Sequence, residues 1–329
     1  MPSELASVDL ATVQGPVRDE LAQVVSEMRR MIVADFPPVT EVNEHLLRMK
    51  GKMFRPTLLL LSAAATDAVR PDDVTLAAVV ELIHLATLVH DDAVDHSVLR
   101  RGQPTVNAMF SHQVAVIMGD YLYSRAMIEL VRLEQMIPLR VMSRVTNEMT
   151  VGEMRELQAY DSLDYSEDDY DTLIQSKTAS LMAGACDMGA RRADPDVRGH
   201  LRRYGEVLGR AFQITDDVLD YTETESVTGK PSCLDLREHK ITLPLILARP
   251  RMAPRELTQV ERLMADPEPA DDLIAEIVAS VRRVGGVDLA RERAQGLALV
   301  AERELGGVPD GPARQALRGC LVYAVDRRS

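Results

Sequence analysis

Two five-residue boxes, Asp91-Asp92-Ala93-Val94-Asp95 and Asp216-Asp217-Val218-Leu219-Asp220, have the same spacing, and each ends an apolar stretch of helical period. In a helix the first and fifth residues share a face. Asp91 therefore stands over Asp95 with Asp92 beside them, and Asp216 over Asp220 with Asp217 beside them. Like charges at that spacing destabilise an isolated helix by roughly 0.2–0.5 kcal/mol, and near a helix C-terminus the macrodipole adds to the penalty. A hard divalent cation between the oxygens removes the conflict. Mg2+ takes one or two carboxylates, keeps several waters and completes its shell with substrate phosphate. One such box in an acidic chain reads as a solvated helix end. Two of them, on two apolar helices, read as facing walls of a cavity with metal ions between.

The rest of the chain offers the boxes a helical setting. Aromatic residues make up 4% of the 329 residues and Trp is absent, while Leu, Ala, Val and Met abound, which favours helix over strand. Helical period predicts helices at 16–35, 40–50 and 54–68, then from Pro71 through the first box. Further helices are predicted at 104–134, 138–160, 167–190, 196–221, 240–249, 254–265, 270–284, 286–304 and 310–326. Leu201, Tyr204, Leu208, Ala211 and Thr215 form the buried face of the second box helix, where Gly205 and Gly209 admit a close neighbour. The polar stretch 159–166, with Ser166 as a cap, and the Gly-, Pro- and charge-rich 222–238 read as loops. No stretch alternates apolar and polar residues as a sheet requires. The expected architecture is one all-α domain over 1–329, with 1–15 loosely ordered.

The formal charge of −13 argues against nucleic acid as the main partner. Salt limits the reach of surface charge to about 8 Å, so an anion site here must carry its own cations. Candidates are Arg100 and Arg101 just after the first box, Lys177 with Thr178, Lys230 after the second box, and Lys52 and Arg55 in GKMFRP. Arginine matches phosphate oxygens bidentately and lysine supplies a point charge. His84 and Gln213 lie on the two box helices. Singly, each reads as a surface charge or a satisfied core residue; grouped around two acidic boxes, they point to phosphorylated ligands. Cys186, Cys233 and Cys320 form no CxxC pair, which suits a reduced, cytoplasmic setting. No uncharged run reaches the about 20 residues of a membrane span, so no stable membrane insertion is expected.

In order along the chain, GKMFRP, LIHLATLVHDDAVDHSVLRRGQPTVN, MGDYLYSRA, KTASLMAGAC, YGEVLGRAFQITDDVLDY, GKP and HKITLPLI resemble the trans-isoprenyl diphosphate synthases, the polyprenyl synthetase family. The resemblance implies an isoprenoid synthase bundle of helices around a deep central cavity, as a homodimer. It implies that Asp91, Asp95 and Asp216 hold a cluster of three Mg2+ ions, with Asp92, Asp217 and Asp220 in support. Arg100, Lys177, Thr178, Gln213 and Lys230 would contact an allylic diphosphate; Lys52, Arg55, His84 and Arg101 would grip isopentenyl diphosphate. The implied reaction is a head-to-tail condensation by ionisation, attack and proton loss, releasing pyrophosphate.

Ala86 and Thr87, five and four residues before Asp91, are small where short-chain relatives often carry an aromatic floor. With Ile83, Val79, Met118, Leu122 and Tyr123 set below them, they imply a product longer than C15, in the C30 to C45 range. The family's usual glycines are replaced by Cys233 and His239, which leaves the loop geometry and the role of Lys240 open. Glu156 stands where relatives place Gln or Asp, as an extra ligand or an exposed helix residue. The alternatives are a short-chain farnesyl or geranylgeranyl diphosphate synthase and a non-catalytic partner subunit. A terpene cyclase is disfavoured by the second aspartate box.

Overall fold

Pro71 and two acidic residues start the helix Pro71–Val94, the spine of the fold. Proline suits a first turn, where its missing N–H would be unpaired in any case. The Asp73 carboxylate accepts the Arg70 backbone N–H at 2.8 Å and is itself paired with Arg191 and Arg192. Leu76 through Val80, with Leu82 and Ile83, are buried. A helix apolar on all sides must be surrounded by protein or by lipid. Among the described residues this is the one helix long and apolar enough to cross a membrane, and its apolar window is 67% buried within the fold.

The computed structural model describes residues 8–49, 51–100, 102–159, 162–222 and 233–326. The helices Arg18–Met31, Phe54–Thr66 and His112–Arg132 pack against this spine. Beyond them lie Ser180–Gly189 and the long second box helix, Pro195–Thr222, which packs along Gly286–Glu304. The expected face of the second box helix (Leu201, Tyr204, Leu208, Ala211 and Thr215) is buried throughout. A Cβ at Gly205 would come within 2.7 Å of the Met182 carbonyl oxygen, and one at Gly209 within 2.6 Å of Ala179 Cα. Both glycines thus let the neighbouring helix approach as the sequence suggests. The second box helix also joins two apolar clusters. Leu201, Tyr204 and Leu208 enter the larger one, and Ile214, Val218 and Tyr221 enter the smaller C-terminal one.

Several expected segments are reshaped. The two early helices are separate as expected, but the second starts earlier, with Pro37 and Pro38 in the first turn of Pro37–Arg48. The segment 104–134 is not one helix. A two-residue antiparallel pair, Leu99–Arg100 with Gln103–Pro104, turns the chain back before the short helix Val106–Met109 and then His112–Arg132. Strands this short carry no alternating pattern to read. The segment 167–190 is interrupted by a π-helical turn, Gln175–Ala179. The long loop contains a short helix, Leu234–Arg237; residues 223–232 lie outside the described residues. Of the N-terminal segment expected to be loosely ordered, residues 1–7 are likewise outside. From Asp9 on it is folded, because Asp9 caps the turn Leu10–Val13 and Val13 and Val17 are buried against the core.

Candidate active site

The two box helices face one cavity of about 1370 Å³, larger than the roughly 300–1,000 Å³ of ordinary small-ligand pockets. Asp91, Asp95, Asp216, Asp217 and Asp220 line it. Within each box the carboxylates divide. Asp92 is buried, and Arg100 Nε donates to its two oxygens at 2.8 and 2.9 Å. The hairpin that the sequence did not reveal is what returns Arg100 to the box. Asp217 accepts Gln213 Nε2 at 2.8 Å and the Tyr170 hydroxyl, and Thr178 Oγ1 donates to Gln213 Oε1 at 2.8 Å. Asp220 accepts the backbone N–H groups of Leu234 and Asp235 at 3.0 and 3.1 Å.

The electrostatics follow from burying like charges together. Burial above all pushes the Asp91 carboxyl up to about 7; Glu153 and Glu156 add to the rise, while Lys177 and Arg100 oppose it. Burial also pushes Asp217 up to about 7, against its hydrogen bonds from Tyr170 and Gln213 and with help from Asp220 and Glu156. Asp235 rises well above the carboxylate range through burial and repulsion by Asp220 and Asp217. Burial alone would lower Lys177, but Asp91, Glu156 and Glu153 outweigh it and hold the ammonium above its usual range.

Lys177 and Thr178 lie in the π-helical turn, a feature frequent at functional sites, and both reach the cavity wall. A Cβ at Gly152 would meet Ser176 Cβ at 2.9 Å, so the helix Met136–Ala159 passes close to this turn. That approach pairs Lys177 with Glu153 at 2.8 Å and with Glu156. Glu156 is therefore a member of the site and not an exposed helix residue. Lys240, whose role the sequence leaves open, also lines the cavity, 3.3 Å from Asp95 and 2.8 Å from Glu238.

On another wall, Arg55 Nη1 donates to His84 Nε2 at 3.0 Å, and Lys52 Nζ lies 5.9 Å from the centre of the Tyr323 ring. Phe54 stacks on Phe212 at 5.4 Å and tilts against Tyr323 at 5.5 Å. Sequence reasoning missed Phe212, Tyr323 and Glu153. GRAFQITDDVLD places Phe212 one turn before the second box, a signal that was available; Tyr323 carries none, since it arrives from the C-terminal helix Pro312–Asp326. Lys230 and Arg101 lie outside the described residues.

Ile83, Ala86, Thr87 and Tyr123 line the cavity with Thr146 and Met149. Thr87 Oγ1 donates to the His84 carbonyl at 2.8 Å, so its hydroxyl is satisfied within the helix. Val79, Met118 and Leu122, expected nearby, are instead packed in the core and are not on the wall.

The family model for polyprenyl synthetase matches residues 37–281. The chain belongs to that family. An all-trans-nonaprenyl-diphosphate synthase (geranyl-diphosphate specific) of Rhodobacter capsulatus is 37% identical, covering 96% of this chain and 97% of its own length. The octaprenyl diphosphate synthase of Escherichia coli is 34% identical over 99% of this chain and 98% of its own. The crystal structure of a polyprenyl synthase from Caulobacter crescentus CB15, complexed with calcium and isoprenyl diphosphate, superposes with a TM-score of 0.94 at 33% identity, covering 98% of this chain and 99% of that one. This polyprenyl synthetase thus has the all-α isoprenoid synthase fold. Its cavity presents Asp91, Asp95 and Asp216, oxygen donors that suit a hard divalent cation better than a thiophilic metal.

Proposed function

We propose that the protein is a polyprenyl diphosphate synthase, condensing isopentenyl diphosphate head-to-tail (1′-4) with an allylic diphosphate and releasing pyrophosphate. The observation that carries this reading is one cavity lined by both aspartate boxes, by the cations Lys52, Arg55, Arg100, Lys177 and Lys240, and by the apolar Ile83, Ala86 and Met149. Asp91, Asp95 and Asp216 would hold three Mg2+ ions, with Asp92, Asp217 and Asp220 in support. Bound there, Mg2+ supplies Lewis-acid neutralisation of the charge on the departing diphosphate.

The chain's own groups divide the remaining work. Arg100, held in place by Asp92, joins Lys177, Thr178, Gln213 and Lys230 at the allylic diphosphate, where fixed cations and donors stabilise the departing charge. Arg55, oriented against His84, joins Lys52 and Arg101 at the second diphosphate. The apolar wall of Ile83, Ala86 and Met149 excludes water from the allylic cation that forms when the C–O bond breaks. The double bond of isopentenyl diphosphate then attacks, and the proton lost passes to the released pyrophosphate, so no side-chain base is required.

A product of C30 to C45 is supported by the small Ala86 and Thr87 on the wall and by the chain lengths in the two relatives' names. A homodimer is supported by apolar side chains left exposed on two successive helices: Ile117, Val131, Met136 and Met154. A reducing, cytoplasmic setting is supported by three free cysteines. The test is pyrophosphate release from isopentenyl diphosphate and a C15 primer. Release is expected with Mg2+ and abolished by EDTA; equal release under both conditions would contradict the metal scheme.

A further inference from the structure

Glu156 divides its carboxylate between two cations. Its Oε2 accepts Lys177 Nζ, and its Oε1 lies 4.0 Å from Lys240 Nζ. Lys177 comes from the π-helical turn and Lys240 from the stretch before the helix Leu243–Ala248, so one side chain joins two separate walls of the cavity. Glu153 contacts Lys177, while Asp95 and Glu238 contact Lys240; Glu156 contacts both. The Glu156 side chain is only 14% exposed, and all three groups line the cavity beside the aspartate boxes. Its charge also helps to raise the carboxyls of Asp91 in the first box and Asp217 in the second.

We propose that Glu156 is a positioning residue that tethers Lys177 and Lys240 on the cavity wall and competes with the allylic diphosphate for them, setting the affinity of that subsite. This rests on reading the cavity as a diphosphate site. An ammonium has three N–H donors and no acceptor capacity; Lys177 meets two carboxylates and Lys240 three, so an entering diphosphate oxygen competes with these carboxylates for both lysines. A fixed negative charge in a confined, partly dry space also opposes an entering anion more strongly than it would in water. Glu156 thus holds the two lysines in place when the subsite is empty and weakens the hold on pyrophosphate after reaction.

The experiment is calorimetric binding of inorganic pyrophosphate in EDTA to the full-length protein and to Glu156→Gln, Glu156→Asp, Glu153→Gln and Lys177→Ala, each checked for folding by thermal melting. Glu156→Gln should bind pyrophosphate about tenfold more tightly, and with Mg2+ present its KM for the allylic primer should fall by a similar factor. Glu156→Asp, which keeps the charge, should return towards the parent. Glu153→Gln, which relieves one lysine only, should tighten binding about two- to threefold. Unchanged or weaker binding in Glu156→Gln, or equal tightening in Glu153→Gln, would overturn the tether. If the parent binds pyrophosphate no better than Lys177→Ala, it is the diphosphate reading of the cavity that fails.

Discussion

Arg100 Nε lies 2.8 and 2.9 Å from the two oxygens of Asp92, so the second aspartate of the first box is taken up by a protein cation and not by the cavity. Gln213 and the Tyr170 hydroxyl likewise hold Asp217 of the second box, which still lines the cavity. Residues equivalent in sequence pattern are thereby separated into those that face the cavity and those that orient its cationic wall.

This separation predicts unequal mutants. Asp91→Asn removes a carboxylate that the proposed Mg2+ cluster would use and should lower kcat by about 10³-fold, since a metal's charge stabilisation is worth several kcal/mol and each 1.36 kcal/mol is tenfold. Asp92→Asn weakens one charge-assisted contact, worth roughly 1.5–3 kcal/mol, and should cost kcat/KM about tenfold to a hundredfold. Steady-state kinetics at saturating Mg2+ distinguish the two; a larger loss in Asp92→Asn would reverse the assignment.

The carboxyl of Asp91, raised to about 7 from an ordinary 3.8, gives a signed pH dependence. Between those values the native state holds a proton that the unfolded chain has lost, so this group's contribution to stability falls as pH rises through the window. Asp91→Asn is spared that loss. In EDTA its melting temperature should exceed the parent's by more at pH 8 than at pH 5, as read by scanning calorimetry. A gain independent of pH would show that Asp91 ionises normally.

Backbone strain offers a test away from the chemistry. Cys233 and His239 have φ of 59° and 55°, in the left-handed region where the family's glycines were missed. A non-glycine residue there costs roughly 1–2 kcal/mol, partly offset by the roughly 0.5–1 kcal/mol of chain entropy that glycine adds to the unfolded state. Cys233→Gly should stabilise by about 0.5–1 kcal/mol. His239→Gly should be nearly neutral, because the His239 ring also bonds the Asp266 carbonyl at 3.0 Å, and that bond is worth about 1 kcal/mol. Urea unfolding midpoints check both.

Chain length should respond to the wall below the first box. Ala86 lies five residues before Asp91, about 7.5 Å along the helix at 1.5 Å per residue, on the cavity wall. Ala86→Phe fills that level and should shorten the product by several C5 units, as sized by reversed-phase thin-layer chromatography after dephosphorylation. An unchanged distribution would remove Ala86 from the account.

What the sequence made legible is what one helix brings together: both boxes, the buried face ending in Thr215, the glycine contacts at Gly205 and Gly209, and Ala86 and Thr87 beneath the box. The tertiary relationships were hidden. Glu156, Lys240 and Tyr323 reach the cavity only because distant segments meet there, and no local period records such a meeting. The π-helical turn at Lys177 goes with the close pass of Gly152 over Ser176, and the hairpin returning Arg100 to Asp92 is too short to alternate. Met118 and Leu122, expected below Ala86 and Thr87, are instead buried in the core, and of the three only Tyr123 lines the cavity.

The central claim is condensation to a long chain. Purified protein, Mg2+ and labelled isopentenyl diphosphate should be incubated in turn with C5, C10, C15 and C20 allylic diphosphates, and the products sized. The account predicts Mg2+-dependent formation of C30 to C45 polyprenyl diphosphate from at least one primer, with one pyrophosphate released per C5 unit added. No condensation with any primer would contradict it and restore the reading of a non-catalytic partner subunit.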